Sequence, residues 1–285
     1  MSESLQLQAR IPAARKEVHR ALTDAGALRT WLAEHAEVEL PDRYEFWGRY
    51  TPEGDAPHQR LLHLDDHTLR FSWLLDGEET TVEIRLTEES DEVTLLDLSQ
   101  THFSIAEATA GNTVRGVLQT YWALSIANLA DHLAGRELTS KVDFTSPELR
   151  GEFLIGAEPS AVFRSLVESD QVTTWFGYPV GIEPHVGGRF AMGGLELEHG
   201  YAGKIIDLEP DRRMSIDWAE AGVTTWELEE SDGRTRLTFV QSGFDTSRPP
   251  YSGWLGWLSG VAELRRYHEL SDWSPIWPPI ELPTA

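Results

Sequence analysis

Cysteine is absent from this chain of 285 residues. The lack of thiols excludes disulfides, thiolate nucleophiles and cysteine-ligated zinc sites, and it is compatible with a reducing compartment. No apolar run approaches the roughly 18 residues of a membrane-spanning helix. The opening Met-Ser-Glu-Ser-Leu-Gln also lacks the basic region and apolar stretch of a signal peptide. We therefore expect a cytoplasmic protein without a membrane span.

Positive charge is also scarce. Lysine and arginine total 24 against 47 aspartates and glutamates, which leaves a net charge of −23. This excess argues against nucleic-acid backbones and anionic membranes as partners. It is typical of a protein kept soluble by charge, including in a salty cytoplasm. The alternative is an acidic surface that docks a basic protein partner.

The chain does contain a long internal repeat. These matched pairs all share a spacing of 144 residues: Val18 and Val162, Leu22 and Leu166, Trp31 and Trp175, Thr80 and Thr224. The register slips by a few residues towards the ends, where Gln100 and Trp122 correspond to Gln241 and Trp257. Solenoid repeats have periods of roughly 20–50 residues, so a repeat of this length indicates a duplicated domain.

The repeat and the local composition predict four segments. We expect a first domain over residues 1–137, a linker over 138–147, a second domain over 148–270 and a Pro/Trp-rich tail over 271–285. Each domain is long enough to bury an ordinary core without metals or disulfides. The prolines of the tail exclude a helix or a central strand, and Trp273 indicates that the tail packs against a surface.

Hydrophobic periodicity predicts the same order of elements in both halves. In the first half, alternation over Leu5–Ile11 predicts a strand, and two short helical segments follow it. Strand-like segments separated by turn residues then predict an antiparallel meander of about six strands. Apolar residues at steps of three and four over about Asn112–Leu133 predict the longest helix. In the second half the last helix is predicted to begin near Pro250.

Several segments carry a resemblance to a known family. They are Ala21-Leu22-Thr23-Asp24 with Trp31-Leu32, Leu69-Arg70-Phe71-Ser72-Trp73, and Gly253-Trp254 with Trp257-Leu258. Together with the element order they resemble the START-like (SRPBCC) superfamily, and within it the family named after the activator of the heat-shock-protein-90 ATPase. The resemblance implies an α+β fold of two tandem helix-grip domains. Each is a bent antiparallel sheet wrapped around a long C-terminal helix, with a cavity between them.

Two glutamines occupy matching positions on predicted strands. Gln100 shares an apolar face with Leu96 and Leu98, and Gln241 lies on the equivalent face of the second domain. An amide on such a face needs hydrogen-bond partners. The two amides either orient a ligand in a pocket or are core groups satisfied by the neighbouring loop or last helix. Their recurrence in both halves fits the structural interpretation.

Aromatic residues are the other candidates for a ligand-binding cavity. The chain has 11 tryptophans, and large aromatic side chains fill cores and also line apolar pockets. The inward-facing candidates are Trp73, Tyr121 and Trp122 in the first domain and Trp218, Trp254 and Trp257 in the second. Core packing is the commoner role for each residue taken singly. Trp226 stands where the first copy has Val82 and would help to fill the second cavity.

His102 follows Gln100 by two residues and would share its face if the strand continued. A His–Gln pair at a cavity mouth would suit acid–base chemistry, confined to the first domain because the second has Gly243 there. The segment His63–His67 gathers two imidazoles and two carboxylates, but its central Asp-Asp predicts a hairpin turn that splays them. The sequence therefore predicts no metal site, no cofactor and no catalytic residue.

Three functional interpretations stay open. The leading one is a START-like protein that binds a small hydrophobic or aromatic ligand in one or both cavities without turnover. The second is a co-chaperone-like protein-interaction module, and the third is a cyclase- or hydrolase-type enzyme that uses the first cavity. An open pocket favours the first, and filled pockets with a broad exposed apolar patch favour the second. A contact between His102 and a carboxylate inside a cavity favours the third.

Overall fold

The computed structural model describes residues 3–104, 107, 113–196 and 201–278. The chain divides into two compact units. The first contains the residues up to Ser146 together with Tyr251–Ser259 and Ile276–Pro278. The second contains Pro147–Pro250 and Gly260–Pro275. Each unit has its own antiparallel sheet.

The first domain inserts two short helices and a hairpin between its first strand and the rest of its sheet. Its elements are β1 (Glu3–Ile11), α1 (Arg15–Thr23), α2 (Ala25–Trp31), β2 (His35–Glu39), β3 (Arg43–Trp47), β4 (Gln59–Leu64), β5 (Thr68–Leu75), β6 (Glu78–Ser90), β7 (Val93–Phe103) and α3 (Val114–Leu133). Five strands pair in the order β1-β7-β6-β5-β4, and β2 pairs with β3 separately. The predicted first strand, antiparallel meander and long helix are confirmed. Asn112, where that helix was expected to begin, lies outside the described residues.

The second domain repeats this order with a single seven-stranded sheet. Its elements along the chain are β8 (Leu149–Ile155), α4 (Pro159–Val167), α5 (Ser169–Phe176), β9 (Val180–Ile182), β10 (Arg189–Met192), β11 (Ala202–Glu209), β12 (Arg213–Asp217), β13 (Val223–Ser231), β14 (Arg234–Ser242) and α6 (Tyr251–Glu269). The first half of α6, Tyr251–Ser259, belongs to the first compact unit. The strand order is β8-β14-β13-β12-β11-β10-β9. The last helix begins directly after Pro250, as predicted. The two sheets and their helices confirm the α+β class.

The matching tryptophans of the repeat hold the two short helices of each domain together. The indole Nε1 of Trp31 donates to the carbonyl oxygen of Ala21 at 3.0 Å, and that of Trp175 donates to Ser165 at 2.7 Å. Both indoles are at most 2% exposed. The same buried hydrogen bond is therefore made twice, at the 144-residue spacing seen in the sequence.

Helix α3 is buried over most of its circumference. Thr113 caps its N-terminus, because the Thr113 Oγ1 accepts from the backbone N–H of Gly116 at 3.0 Å. Gly135 follows the C-terminus with a φ of +65°, the left-handed conformation expected of a terminating glycine. Of the 20 residues in α3, 13 are buried, so burial extends beyond the single predicted stripe. No helix in the described ranges is long and apolar enough to cross a membrane.

The tail packs through its aromatic and apolar residues as far as it is described. The ring of Trp273 meets that of Tyr267 edge-on with 5.1 Å between centroids, and its Nε1 donates to Glu263 at 3.4 Å. Further along, Ile276 is only 5% exposed. Apolar contacts and hydrogen bonds therefore hold the described part of this proline-rich segment, which forms neither a helix nor a strand.

Candidate functional site

Gln100 links three strands to the long helix of the first domain. Its Nε2 donates to the Oγ1 of Thr80 at 3.1 Å, and its Oε1 accepts from the Nε1 of Trp122 on α3 at 2.8 Å. The Thr80 hydroxyl in turn donates to the carbonyl oxygen of Trp73 at 2.9 Å. Gln100 and Thr80 are 0% exposed. The amide is thus satisfied by the last helix of its domain, as the structural interpretation expects.

Gln241 occupies the matching position but has only half of this network. Its Nε2 donates to the carbonyl oxygen of Ala221 at 2.8 Å. Its Oε1 is buried and has no hydrogen-bond partner in the described part of the chain. The neighbouring Thr224 accepts instead from the Nε1 of Trp218 at 2.8 Å. A buried oxygen without a donor costs about 1–3 kcal/mol, so the Gln241 amide lacks the compensation that the indole of Trp122 gives to Gln100.

A continuous group of aromatic rings fills the interior of the first domain. The centroid of Trp73 lies 5.3 Å from that of Phe46, 5.9 Å from that of Tyr121 and 6.0 Å from that of Trp122. The side chains of Trp73, Tyr121 and Trp122 are at most 2% exposed. The Nε1 of Trp73 and the hydroxyl of Tyr121 are nevertheless buried without a hydrogen-bond partner among the described residues. The sequence located these three residues, but only the structure distinguishes the satisfied indole from the unsatisfied one.

The Tyr121 hydroxyl lies in a tight, polar corner of this interior. Burial raises the pKa of Tyr121, so the phenol is neutral. The nearby hydroxyls of Thr51 and Ser125 lower the pKa by less than burial raises it, and neither makes a hydrogen bond of good geometry with the phenol. The ring borders a cavity of about 10 Å³, which is room for roughly one water molecule. This cavity therefore accommodates water and not a drug-sized ligand.

Lys141 lines the same cavity from the predicted linker. Its Nζ donates to three backbone carbonyl oxygens near the end of α2, those of Arg29 (2.8 Å), Thr30 (3.1 Å) and Ala33 (2.9 Å). A cation is favoured at this end of a helix dipole, and the ammonium also lies 4.8 Å from the ring centroid of Tyr50. Partial burial lowers the pKa of Lys141 to about 8, and Glu34 opposes that shift. Sequence reasoning missed this residue because a linker lysine carries no distinguishing pattern.

Trp218 in the second domain lies over a glycine of the sheet. A Cβ at Gly203 would come within 2.5 Å of Ile216 and 2.8 Å of the Trp218 ring, so only glycine leaves room for that indole. Tyr201 stacks on the ring, with 5.1 Å between centroids and 10° between planes. Trp218 is 5% exposed, whereas Tyr201 is 59% exposed. The predicted residue is thus part of the core, and its covering tyrosine faces solvent.

The other tryptophans predicted to line the second cavity are also buried. Trp254 and Trp257 on α6 are 3% and 9% exposed. The rings of Trp226 and Phe239 lie only 4.0 Å apart between centroids, and both residues are at most 1% exposed. Trp226 therefore occupies core volume at the position where the first domain has the smaller Val82.

His102 lies at the surface, away from the buried Gln100 amide. Its φ is +60°, a conformation that favours glycine, and the matching Gly243 has a φ of +78°. The His102 Nδ1 is 3.4 Å from a carboxylate oxygen of Glu78, and their side chains are 42% and 49% exposed. Arg115 reaches the same carboxylate at 3.3 Å. A His–carboxylate contact therefore exists, but it is not enclosed in a cavity as an acid–base site would be.

The histidine-rich segment between β4 and β5 is a turn, as predicted. The carboxylate of Asp65 lies 3.0 Å from the Nε2 of His63 and accepts from the backbone N–H groups of His67 and Thr68, each at 2.8 Å. The hydrogen bond with His63, followed by that from His67, lowers the pKa of Asp65 to about 2. No cluster of three or more potential metal-ligating side chains occurs in the described segments.

Comparison with known proteins identifies both halves of the chain with one family. The family model described as Activator of Hsp90 ATPase homolog 1-like protein matches residues 12–134 and again residues 156–269. DynU16, a putative protein in the dynemicin biosynthetic locus, is 18% identical over 94% of this chain and 100% of that one, with a TM-score of 0.39. CalU16 from Micromonospora echinospora is 24% identical over 48% of this chain and 77% of that one, with a TM-score of 0.38. The Aha1 dimer from Colwellia psychrerythraea is 16% identical over 44% of this chain and 98% of that one, with a TM-score of 0.38. No curated protein matches the chain.

Proposed function

Because this chain belongs to the family of Activator of Hsp90 ATPase homolog 1-like proteins, we propose that it is a START-like binding protein. It holds a small hydrophobic or aromatic molecule without turnover, principally in the first domain. The observation that carries this proposal is a pair of buried polar atoms that have no hydrogen-bond partner in the described part of the chain, the Trp73 Nε1 and the Tyr121 hydroxyl.

These two atoms indicate the chemistry that a ligand would need. Buried polar groups are nearly always paired, and exceptions occur where water or a ligand completes them. An indole N–H can only donate, whereas a phenol can donate or accept. A flat apolar molecule with a carbonyl or ether oxygen on one edge would satisfy the indole of Trp73 and pack against the neighbouring rings.

Binding requires the interior to open. The cavity beside Tyr121 has room for roughly one water, so aromatic side chains must move to admit a larger molecule. Burial of about 200 Å² of apolar ligand surface would contribute about 5 kcal/mol. Part of that gain is offset by the opening and by the lost freedom of the ligand. We therefore expect moderate affinity and a protein that is more stable when occupied.

The second domain supplies weaker support for a second site. The Oε1 of Gln241, which has no partner among the described residues, could only accept a hydrogen bond from a ligand. In the first domain, the Nε1 of Trp73 could only donate one. The close packing of Trp226 on Phe239 leaves less volume beside it. Any molecule held there would differ in chemistry from the ligand of the first domain.

Calorimetric titration with a matched pair of ring compounds tests the proposal. Fluorenone and fluorene have the same fused three-ring skeleton, but only fluorenone carries a carbonyl oxygen. We expect fluorenone to bind more tightly, and Trp73→Phe to weaken its binding about tenfold, because the phenyl ring has no N–H. Binding of fluorene should change little.

Trp175→Phe is the control for that titration. Its indole N–H is already satisfied by the backbone of Ser165, so its loss should leave both affinities unchanged. Failure of both compounds to bind, or equal binding of fluorenone to the native chain and to Trp73→Phe, would contradict the proposed site.

The filled interior favours a second candidate, a protein-interaction module. If the aromatic core never opens, function must lie on the surface, where the net charge of −23 would attract a basic patch of a partner. The family name suggests purified Hsp90 from the same host as the test partner. Stimulation of its ATPase that disappears at high salt would support this candidate, whereas the ligand-binding proposal predicts no effect.

A further inference from the structure

Among the residues that the structure describes, strand β8 has a pairing partner on only one side of its backbone. It is the outer strand of its sheet and pairs with β14 alone. In an antiparallel ladder every second residue directs its N–H and C=O groups away from the partner. In the first domain, the N–H of Arg10 on β1 points away from the neighbouring strand β7. Leu154 is the matching residue of β8, so the outward-directed residues of β8 are Arg150, Glu152 and Leu154. Within the described ranges, none of the three N–H groups donates to a backbone carbonyl outside the sheet.

The tail makes a backbone contact with the corresponding edge of the first domain, and no such contact is made to β8 by the described residues. The N–H of Arg10 donates to the carbonyl oxygen of Ile276 at 2.7 Å, and Ile276 is 5% exposed. An uncovered strand edge is a template for pairing with another chain, and proteins commonly block it with proline, a bulge or a covering segment. β8 contains no proline and keeps regular inside–outside alternation. It is therefore competent to accept a further strand.

The charges on β8 are self-complementary. Arg150 and Glu152 lie 2.6 Å apart on the outer face and are 47% and 56% exposed. If a second β8 pairs antiparallel about a twofold axis at Gly151, each Arg150 lies opposite a Glu152 of the other copy. An axis at Glu152 would place two carboxylates opposite each other, which is destabilising. The charge pattern therefore favours the axis at Gly151 over the axis at Glu152.

We propose that β8 is a self-pairing edge through which two copies of this chain form a symmetric dimer by sheet extension. The backbone groups of Arg150, Glu152 and Leu154 supply the hydrogen bonds between the copies. The two Arg150–Glu152 pairs stabilise the register with the axis at Gly151, and the two opposed carboxylates disfavour the register with the axis at Glu152. A twofold axis makes the interface closed, so pairing stops at two copies and does not continue into a fibre.

Sedimentation equilibrium of the full chain over a series of concentrations tests the dimer. Arg150→Glu alone and Glu152→Arg alone each set like charges opposite one another, and each should raise the dissociation constant about tenfold or more. The double exchange restores opposite charges in the same register and should restore dimerisation. Arg212→Glu, in the turn between β11 and β12 and 73% exposed, is the matched control and should have no effect.

Hydrogen exchange of the segment 148–155 provides a second measurement that needs no variant. Its amides should be more protected at concentrations where the native chain is dimeric than where it is monomeric. A native chain that stays monomeric at all concentrations would overturn the proposal. So would a double exchange that dimerises no better than the single variants, since it would locate the interface elsewhere. Circular dichroism establishes that each variant is folded.

Discussion

At the scale of single residues, the two copies use the same amide in different ways. Gln100 has both ends of its amide paired, with Thr80 and with the indole of Trp122. Gln241 pairs its Nε2, and its buried Oε1 has no partner among the described residues. The strand pattern predicted that both glutamines face inward, and both are at most 5% exposed. It could not predict this difference, because that depends on whether an indole from another element reaches the amide.

This difference predicts unequal effects of one substitution. Gln100→Leu would remove the hydrogen bond to Thr80 and leave the buried N–H of Trp122 without an acceptor. It should therefore lower the free energy of unfolding by about 2–4 kcal/mol. Gln241→Leu removes an oxygen that is already unsatisfied and leaves only one carbonyl oxygen without its donor. The free energy of unfolding should therefore fall by only about 1 kcal/mol. Urea unfolding of the two variants measures both values. Equal losses would show that the two amides have equivalent environments.

At the scale of elements, turns and long periodic segments were predictable, whereas the short strands β2 and β9 were not. Helices α3 and α6 carry sustained apolar periodicity and bounding turn or proline signals, and both were predicted. Strand β9 has three residues, too few for any alternation to be recognised. Strand β2 has only Ala36 and Val38 as alternating apolar residues. Its place is set by pairing with β3 rather than by its own pattern.

The β4–β5 turn makes a prediction about acid stability. The Asp65 pKa falls from its ordinary 3.8 to about 2 in the folded chain, so folding favours the ionised carboxylate. Its stabilising contribution is complete above about pH 4 and is lost as the pH falls through about 2. Asp65→Asn cannot titrate, so the stability gap between the native chain and this variant should shrink from pH 4 downwards. Urea midpoints measured at several pH values check this, and a gap that is constant or widens would contradict it.

At the scale of the whole molecule, most of what could be predicted from the sequence follows from the internal duplication. The constant 144-residue spacing predicted two like domains, and the buried hydrogen bonds of Trp31 and Trp175 are made at that spacing. The state of the interior was not predictable, because aromatic residues suit a lined cavity and a filled core equally well. The residual cavity of about 10 Å³ and the unpartnered Trp73 N–H emerge only from packing.

Native mass spectrometry of the protein purified from its own host, followed by organic extraction, tests the binding role most directly. We expect a reproducible small molecule bound to the chain, released by the extraction and lost or reduced in Trp73→Phe. The Trp175→Phe control should retain it. A protein mass without a bound molecule, unchanged after exposure to a library of lipids and aromatic metabolites, would contradict the role and direct attention to a protein partner.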